Sequence, residues 1–498
     1  MEKSEKTNSA AVDPPVDVSE AESQVLSRST IWLDRLRRWG LETRGMQPVP
    51  IEERTDTRYI NIFFMWFTMN VNILPICYSI VTGMLGTLGF GLSLRDCSLL
   101  ILFFSMLCCA FPAYCSTFGA RTGLRQMLIS RFTFGYYLIV IMVILNLCTN
   151  AGFGIICSVT GGSTLAAVSS GSISSTVGIV IISMIAMVVS FIGYKFLHQY
   201  ERYSWIFNLV AIIIATGVGG KHLSNQVEQP AASASTIVSY GGVIAGFIIP
   251  FSALAADFSV YCHPKVSTWR IFAYTYAGIF FPVVTLMVLG AAIGGATPNV
   301  VSWKDGYDRF TVGGVMQAML LPAGGFGRFV AVLLSLSVIG NLAASIYCIS
   351  LNFQLLAPFM LKIPRSVFTI IYTVVGIPVS IQAAKSFFDS LENLMYLISY
   401  WAAGYVGVIG TEHFVFRGTD FSRYNPDHWD QPTKLPTGLA AIGAMGIAFG
   451  LTVPCMSQEW YTGPIAKTTG DIGFEVELVL AALLYVPLRW VELKFRPI

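Results

Sequence analysis

The chain has 498 residues, of which 54% are hydrophobic and only 12% charged, and its mean hydropathy is +0.64. Soluble domains carry about 25% charged residues, so an ordinary soluble fold is excluded. The net charge of +3 comes without a basic patch, which speaks against a nucleic-acid partner. No Walker A, HExxH or GxSxG pattern occurs and the five histidines are scattered, so no catalytic set is expected and the chain does not read as an enzyme.

The first ~58 residues are polar, acidic and then basic, with Pro14-Pro15 and many serines. They hold no apolar core of a cleaved leader, and their composition predicts disorder. Ile31–Arg38 (IWLDRLRR) reads either as a short amphipathic helix on the inner leaflet or as a plain tether.

Beyond this tail the chain is a succession of apolar stretches. One membrane span needs about 20 residues. Twelve are expected, over 61–83, 98–118, 134–162, 174–193, 204–220, 237–260, 272–295, 327–352, 366–384, 389–410, 436–456 and 473–489. The runs are continuous rather than alternating, which predicts helices and not a β-barrel. The expected fold class is therefore an all-α integral membrane protein: a cytoplasmic tail over 1–58, a twelve-span body over 59–490 and a short cytoplasmic tail over 491–498. Loops on the side of the N-terminus carry twelve Lys and Arg, the opposite loops seven. The tails add nine before the first span and, counting Arg489 at the end of the last span, three at the other end. Positive charge stays inside, so both termini are expected in the cytoplasm of a plasma-membrane protein.

Two spans look alike in kind. The first carries Asn70-Val-Asn72-Ile-Leu-Pro75, and the sixth carries Gly246-Phe-Ile-Ile-Pro250 followed by Asp257. Proline removes a backbone donor and disrupts the helix ladder. Broken helices at matching positions of two inverted five-helix halves mark the midplane site of many secondary transporters. Spans eleven and twelve would be additions to that 5+5 plan.

Polar groups at bilayer depth are costly and usually face a cavity or pathway. Asn70 and Asn72 offer donors and acceptors that match the amide edge of a heterocycle, or else they tie helices together. In span three, Asn146 and Asn150 precede a small-residue run in which Phe153 stands out, either as a packing ring or as a face on which a planar base stacks. In span eight, Asn341, Ser345 and Asn352 share one helical face. Their oxygens suit a small hard cation, or the stripe is structural. Asp257, near the inner end of the sixth span, pairs with Lys265 or Arg270, caps a helix or relays a proton. Glu201 and Arg202 sit beside a span as a snorkelling pair, and Glu201 is the second candidate ion-coupling acid. The cysteines lie mostly inside spans without CxxC or metal-like spacing, so neither a metal nor a cofactor is expected.

Trp39-Gly-Leu-Glu-Thr-Arg-Gly-Met-Gln-Pro-Val-Pro50 with Glu52-Glu-Arg-Thr-Asp56 resembles the pre-membrane signature of fungal purine–cytosine permeases, a branch of the nucleobase–cation symporter family. The likeness continues in Gly123–Gly135 and in Ala255–Tyr261, and it covers nearly the whole chain. It implies a twelve-span inverted-repeat fold and proton-coupled uptake of nucleobases, with H+ rather than Na+ as the coupling cation. Residue by residue, Phe153 stands where the family usually has Trp, Cys157 where it has Asn and Phe251 where it has Trp. The family's Asn-Asn-x-Pro-Asn window reads Asn341-Leu342-Ala343-Ala344-Ser345 here. The resemblance thus places a ring between Phe153 and Phe251, with Asn72 and Asn341 at its edge. A site that has lost amide hydrogen-bonders discriminates less by edge pattern. Cytosine and purines are the first expectation, and a pyridine vitamin or a specialised metabolite the alternative. A non-transporting membrane sensor is a further class, opposed by the lack of a cytoplasmic segment long enough for a signalling domain.

Overall fold

The computed structural model describes residues 48–71, 73–192, 194–357, 359–360 and 363–496, with the side chains of 71–78, 192–205, 337, 341, 344, 351 and 355 left aside. Ile31–Arg38 and the Trp39 end of the signature lie outside the described residues. The first helices are α1 (Tyr59–Val71), α2 (Ile73–Met84), α3 (Leu94–Cys108), α4 (Ala110–Thr122), α5 (Gln126–Phe134), α6 (Ile139–Val168), α7 (Ser175–Ile192) and α8 (Tyr194–Gly219). They are followed by α9 (Ala234–Ile248), α10 (Thr268–Ala296), α11 (Val301–Leu320), α12 (Gly324–Leu356), α13 (Arg365–Ala383), α14 (Phe387–Thr411), α15 (Leu439–Thr452) and α16 (Gly473–Phe495). Among the described residues, every expected span overlaps helix. Six stretches among the described residues are long and apolar enough to cross a membrane, so the chain is a multi-pass membrane protein.

Local chemistry sets the ends. Ser93 accepts from the Asp96 amide at 3.1 Å and opens α3. Ser233 does the same for α9 through the Thr236 amide at 3.1 Å. The sixth expected span departs from its reading: α9 stops at Ile248, and 237–260 finishes in two 3-10 turns, Ile249–Ala253 and Ala255–Phe258, with Leu254 between them at φ −136°. Pro250 supplies the cause, because its nitrogen cannot continue the ladder. Two further helices were not legible as spans. α5 is short. α11 begins with Lys304, Asp305, Asp308 and Arg309 and bends where Phe310 and Thr311 leave helical angles.

Two sets of contacts organise the body. α10 packs on α1 and α2, and α6 packs on α12, α7 and α13. α15 and α16 pack against each other and on α14, as additions to a ten-helix plan would. Here side chains and backbone from distant parts of the chain converge at one end. The Val49 amide donates to the Gly123 carbonyl at 2.9 Å, and Asp56 exchanges backbone bonds with Tyr261 (3.1 Å) and His263 (2.8 Å). Buried Arg54 donates to the Ala120 carbonyl. Gly123 sits at φ +72°, and a Cβ there would meet the Val49 oxygen at 2.9 Å, so this turn calls for glycine. The Cys262 thiol beside the strap is pushed up to about 12 by burial and by the Asp56 carboxylate, which keeps it neutral.

At the same end, Glu412 is 1% exposed and accepts from Arg417 Nε (2.9 Å), Arg489 Nε (3.2 Å) and the Tyr485 hydroxyl (2.8 Å). Arg489 also donates to Glu492 at 2.8 Å, and Glu492 accepts from the Gly438 amide at 3.1 Å and from the Thr437 hydroxyl. Two acids face two guanidinium groups, which is the condition for burying such charge.

Candidate functional site

The break after α9 turns Phe251 toward α1. Its ring meets Trp66 edge-on at 5.8 Å and Phe247 at 5.8 Å, while Phe258 meets Trp66 at 5.2 Å. Trp66 and Asn70 are separated by one helical turn and both are fully buried. The Asn70 amide donates to the Trp66 carbonyl at 2.8 Å. Trp66 Nε1 and Asn70 Oδ1 have no hydrogen-bond partner among the described residues. By contrast, the Trp401 indole donates to Thr149 Oγ1 at 3.0 Å. A buried donor or acceptor left unmade costs about 1–3 kcal/mol. Two such groups beside an aromatic wall amount to spare capacity for a polar ring.

On α6, Phe153 is half-buried against the core. Cys157 is buried, and its thiol donates back to the Phe153 carbonyl at 2.7 Å, so the hydrogen is spent within the helix. Asn150 likewise donates to the Asn146 carbonyl at 2.7 Å. α12 runs alongside: Leu342 Cδ1 lies 3.3 Å from where a Cβ on Gly154 would stand, which puts the Asn341–Ser345 stretch level with Phe153–Cys157. Ser345 is buried. α6 also touches the Ile249–Ala253 turn that carries Phe251. Of the expected site residues, then, Asn70 and Phe251 meet at Trp66, and Phe153, Cys157 and Ser345 share the α6–α12 seam that borders them. Asn72 and the side chains of Asn341 and Glu201 lie outside the described residues.

Asp257 has a specific structural task. Its Oδ1 accepts from the Gln126 amide at 2.7 Å, the first residue of α5. Gln126 in turn accepts from the Ala256 amide at 3.3 Å and donates to the Tyr405 hydroxyl at 3.1 Å. Carboxylates are favoured at helix starts, and the cap is one of the three roles the sequence left open. Sequence reasoning missed Trp66 and Gln126. Trp66 was detectable as the residue one turn before Asn70, on the same face.

The family described as permeases for cytosine/purines, uracil, thiamine and allantoin matches residues 48–477. The chain belongs to this family. The purine-cytosine permease FCY2 of Saccharomyces cerevisiae is 36% identical over 471 residues, covering 91% of this chain and 86% of that protein. The purine-cytosine permease fcyB of Emericella nidulans is 35% identical, covering 91% and 89%. The vitamin B6 transporter TPN1 of Saccharomyces cerevisiae is 25% identical, covering 95% and 91%. Among solved structures, Mhp1, a nucleobase-cation-symport-1 family transporter, superposes with a TM-score of 0.65 when closed with bromovinylhydantoin bound, at 16% identity and covering 92% of this chain and 97% of that one. Its inward-facing conformation gives 0.68 at 18% identity, covering 91% and 95%. The expected inverted-repeat transporter fold is therefore the fold of this permease, and the family resemblance read from the sequence holds.

Proposed function

We propose that this permease carries a purine- or cytosine-type nucleobase into the cell across the plasma membrane, driven by proton entry, with both termini cytoplasmic. The observation that carries the reading is a pair of buried groups without a partner among the described residues, Trp66 Nε1 and Asn70 Oδ1, beside the Phe251 ring where α9 breaks. The ring lies against Phe251 and Phe153, with Asn72, Asn341 and Ser345 near its polar edge and Cys157 at its side. A chain of this kind without a nucleotide-binding motif draws on an ion gradient, and proton coupling fits a fungal-type permease better than sodium. Asp257 is occupied as a helix cap, which favours a coupling group elsewhere, Glu201 included.

A second reading has its own support. The Cys157 thiol is bonded to its own helix, so the position where the family usually has an amide reads no ring edge. A relative that carries vitamin B6 aligns over nearly the whole chain. A pyridine ring would suit stacking walls with few edge contacts. Labelled uptake in a host without its own nucleobase and vitamin permeases decides between them: saturable cytosine or adenine uptake that collapses when a protonophore is added supports the first. Pyridoxine uptake without nucleobase uptake supports the second, and no uptake of any ring sinks both.

A further inference from the structure

Behind the Phe153–Cys157 stretch of α6 stands α13. A Cβ on Gly154 would lie 2.1 Å from the Tyr372 hydroxyl, so Tyr372 occupies the place that a side chain at 154 would take. The hydroxyl donates to the Ala151 carbonyl at 3.3 Å. One turn further, Ser183 donates to Ser158 at 3.2 Å, and Ser158 donates to the Gly154 carbonyl at 2.9 Å. Serine bonding back to its own helix loosens and bends it. The carbonyls of Ala151 and Gly154, on either side of Phe153, thus each accept a side-chain bond. Next to Tyr372 is a cavity of about 10 Å³ lined by Ser158, Ser183 and Thr373 and, on its apolar side, by Leu342, Ile346, Gly376 and Ile377. That is about the space of one water. Without it, close-packed neighbours would leave α6 no room to shift.

We propose that Tyr372 is a positioning residue for the ring site: wedged against Gly154, it sets how far the Phe153–Cys157 stretch stands from α13, and the cavity beside it lets that stretch yield to rings of different size. The inference rests on the proposed placement of the ring against Phe153. Tyr372 itself touches α6 from behind and acts through Phe153 and Cys157. Gly376 gives the cavity a separate handle. A Cβ there would meet Tyr372 Cζ at 3.5 Å, an ordinary contact, so Gly376→Ala fills space without a clash.

The test measures inhibition constants of cytosine (one ring) and adenine (two rings) against labelled uptake, together with surface level and the melting temperature of purified variants. Tyr372→Phe removes the hydroxyl and one hydrogen bond. It should shift the cytosine-to-adenine ratio by about threefold at unchanged surface level. Gly376→Ala should weaken adenine more than cytosine. Gly154→Ala should lose uptake and melt earlier. Adding Tyr372→Phe should restore part of both, because it removes the 2.1 Å clash and leaves only Cζ at 3.2 Å and Leu342 Cδ1 at 3.3 Å to give by a few tenths of an ångström. Ratios unchanged in Tyr372→Phe and Gly376→Ala, or no rescue in the double variant, overturn the proposal while the transport reading stands. If the unmodified chain carries neither base, the nucleobase reading fails and takes the role in sorting one ring from two with it. The melting rescue then decides whether Tyr372 braces α6 at all.

Discussion

Glu412 and Trp66 are both buried, yet the carboxylate and the indole spend their hydrogen-bonding capacity in opposite ways. Around Glu412, each carboxylate oxygen meets a guanidinium or a hydroxyl, and Glu492 closes the chain through Gly438 and Thr437. Around Trp66, an indole donor and an amide acceptor have no partner among the described residues. The first arrangement is what holds helices in place, since a satisfied network in low dielectric specifies one geometry. The second is what a binding wall requires, because groups already bonded within the protein have nothing to offer a substrate. A permease has to combine the two: fixed ends for α4, α5, α14 and α16, and unspent hydrogen-bonding capacity where the helices are broken.

The sharpest way to break this comparison is at Glu412. Truncating it leaves Arg489 with Glu492 alone and Arg417 with the Phe132 and Arg423 carbonyls but no carboxylate, and breaking a buried pair costs about 3–5 kcal/mol. Glu412→Ala is expected to fail to reach the cell surface and to lose monodispersity in detergent. A variant that matches the unmodified protein in surface level and melting would show that the network is ornamental. Trp66→Phe attacks the other side. It keeps an aromatic ring against Phe251 but removes the outer ring of a fully buried indole together with its donor, so melting should drop modestly, as for a large-to-small core change, while uptake falls about tenfold, as for one lost bond to a substrate. If melting temperature and uptake drop in step, Trp66 is packing and the contrast with Glu412 disappears.

Which parts of this contrast could be read from residues alone follows from how each feature leaves its mark. Apolar runs are long and continuous, so the spans were legible. The break in the sixth span was legible because Pro250 cannot donate, although its extent was not: the 3-10 turns to Phe258 depend on packing against α4 and α5. α11 was hidden by Lys304, Asp305, Asp308 and Arg309, which make its first turns look like loop. Phe251 was found through the family resemblance, as the position where the family usually has Trp. Trp66 was not, since a tryptophan in a span looks like any packing residue until its Nε1 is seen without a partner. Tyr372 was invisible for another reason: its significance lies in Gly154, more than two hundred positions away in the chain.

The site can be sharpened by restoring what the family usually has. Cys157→Asn and Ser345→Asn together put two amides on the α6–α12 seam. Each hydrogen bond regained contributes about 1 kcal/mol net, so preference for nucleobases over pyridoxine should rise about thirtyfold in a competition assay. No change in the ratio would mean that these two positions do not face the ring.

The smallest effect is expected at Asp257, and it bears on coupling. Its Oδ1 holds the Gln126 amide at the start of α5, and Gln126 returns a bond to the Ala256 amide. Asn keeps a carbonyl oxygen in the same place, and Asn and Asp cap helices about equally well. A proton relay, however, requires a group that ionises. Asp257→Asn therefore separates the two roles: as a cap, it should leave uptake within about twofold and the pH dependence of uptake unchanged, whereas Asp257→Ala, which removes the acceptor, should lower stability and surface level. Uptake measured across an imposed pH gradient is the readout. If Asp257→Asn reaches the surface normally yet no longer accumulates substrate against its gradient, Asp257 carries the coupling proton, and the loop end around α5 belongs to the working site rather than to the scaffold.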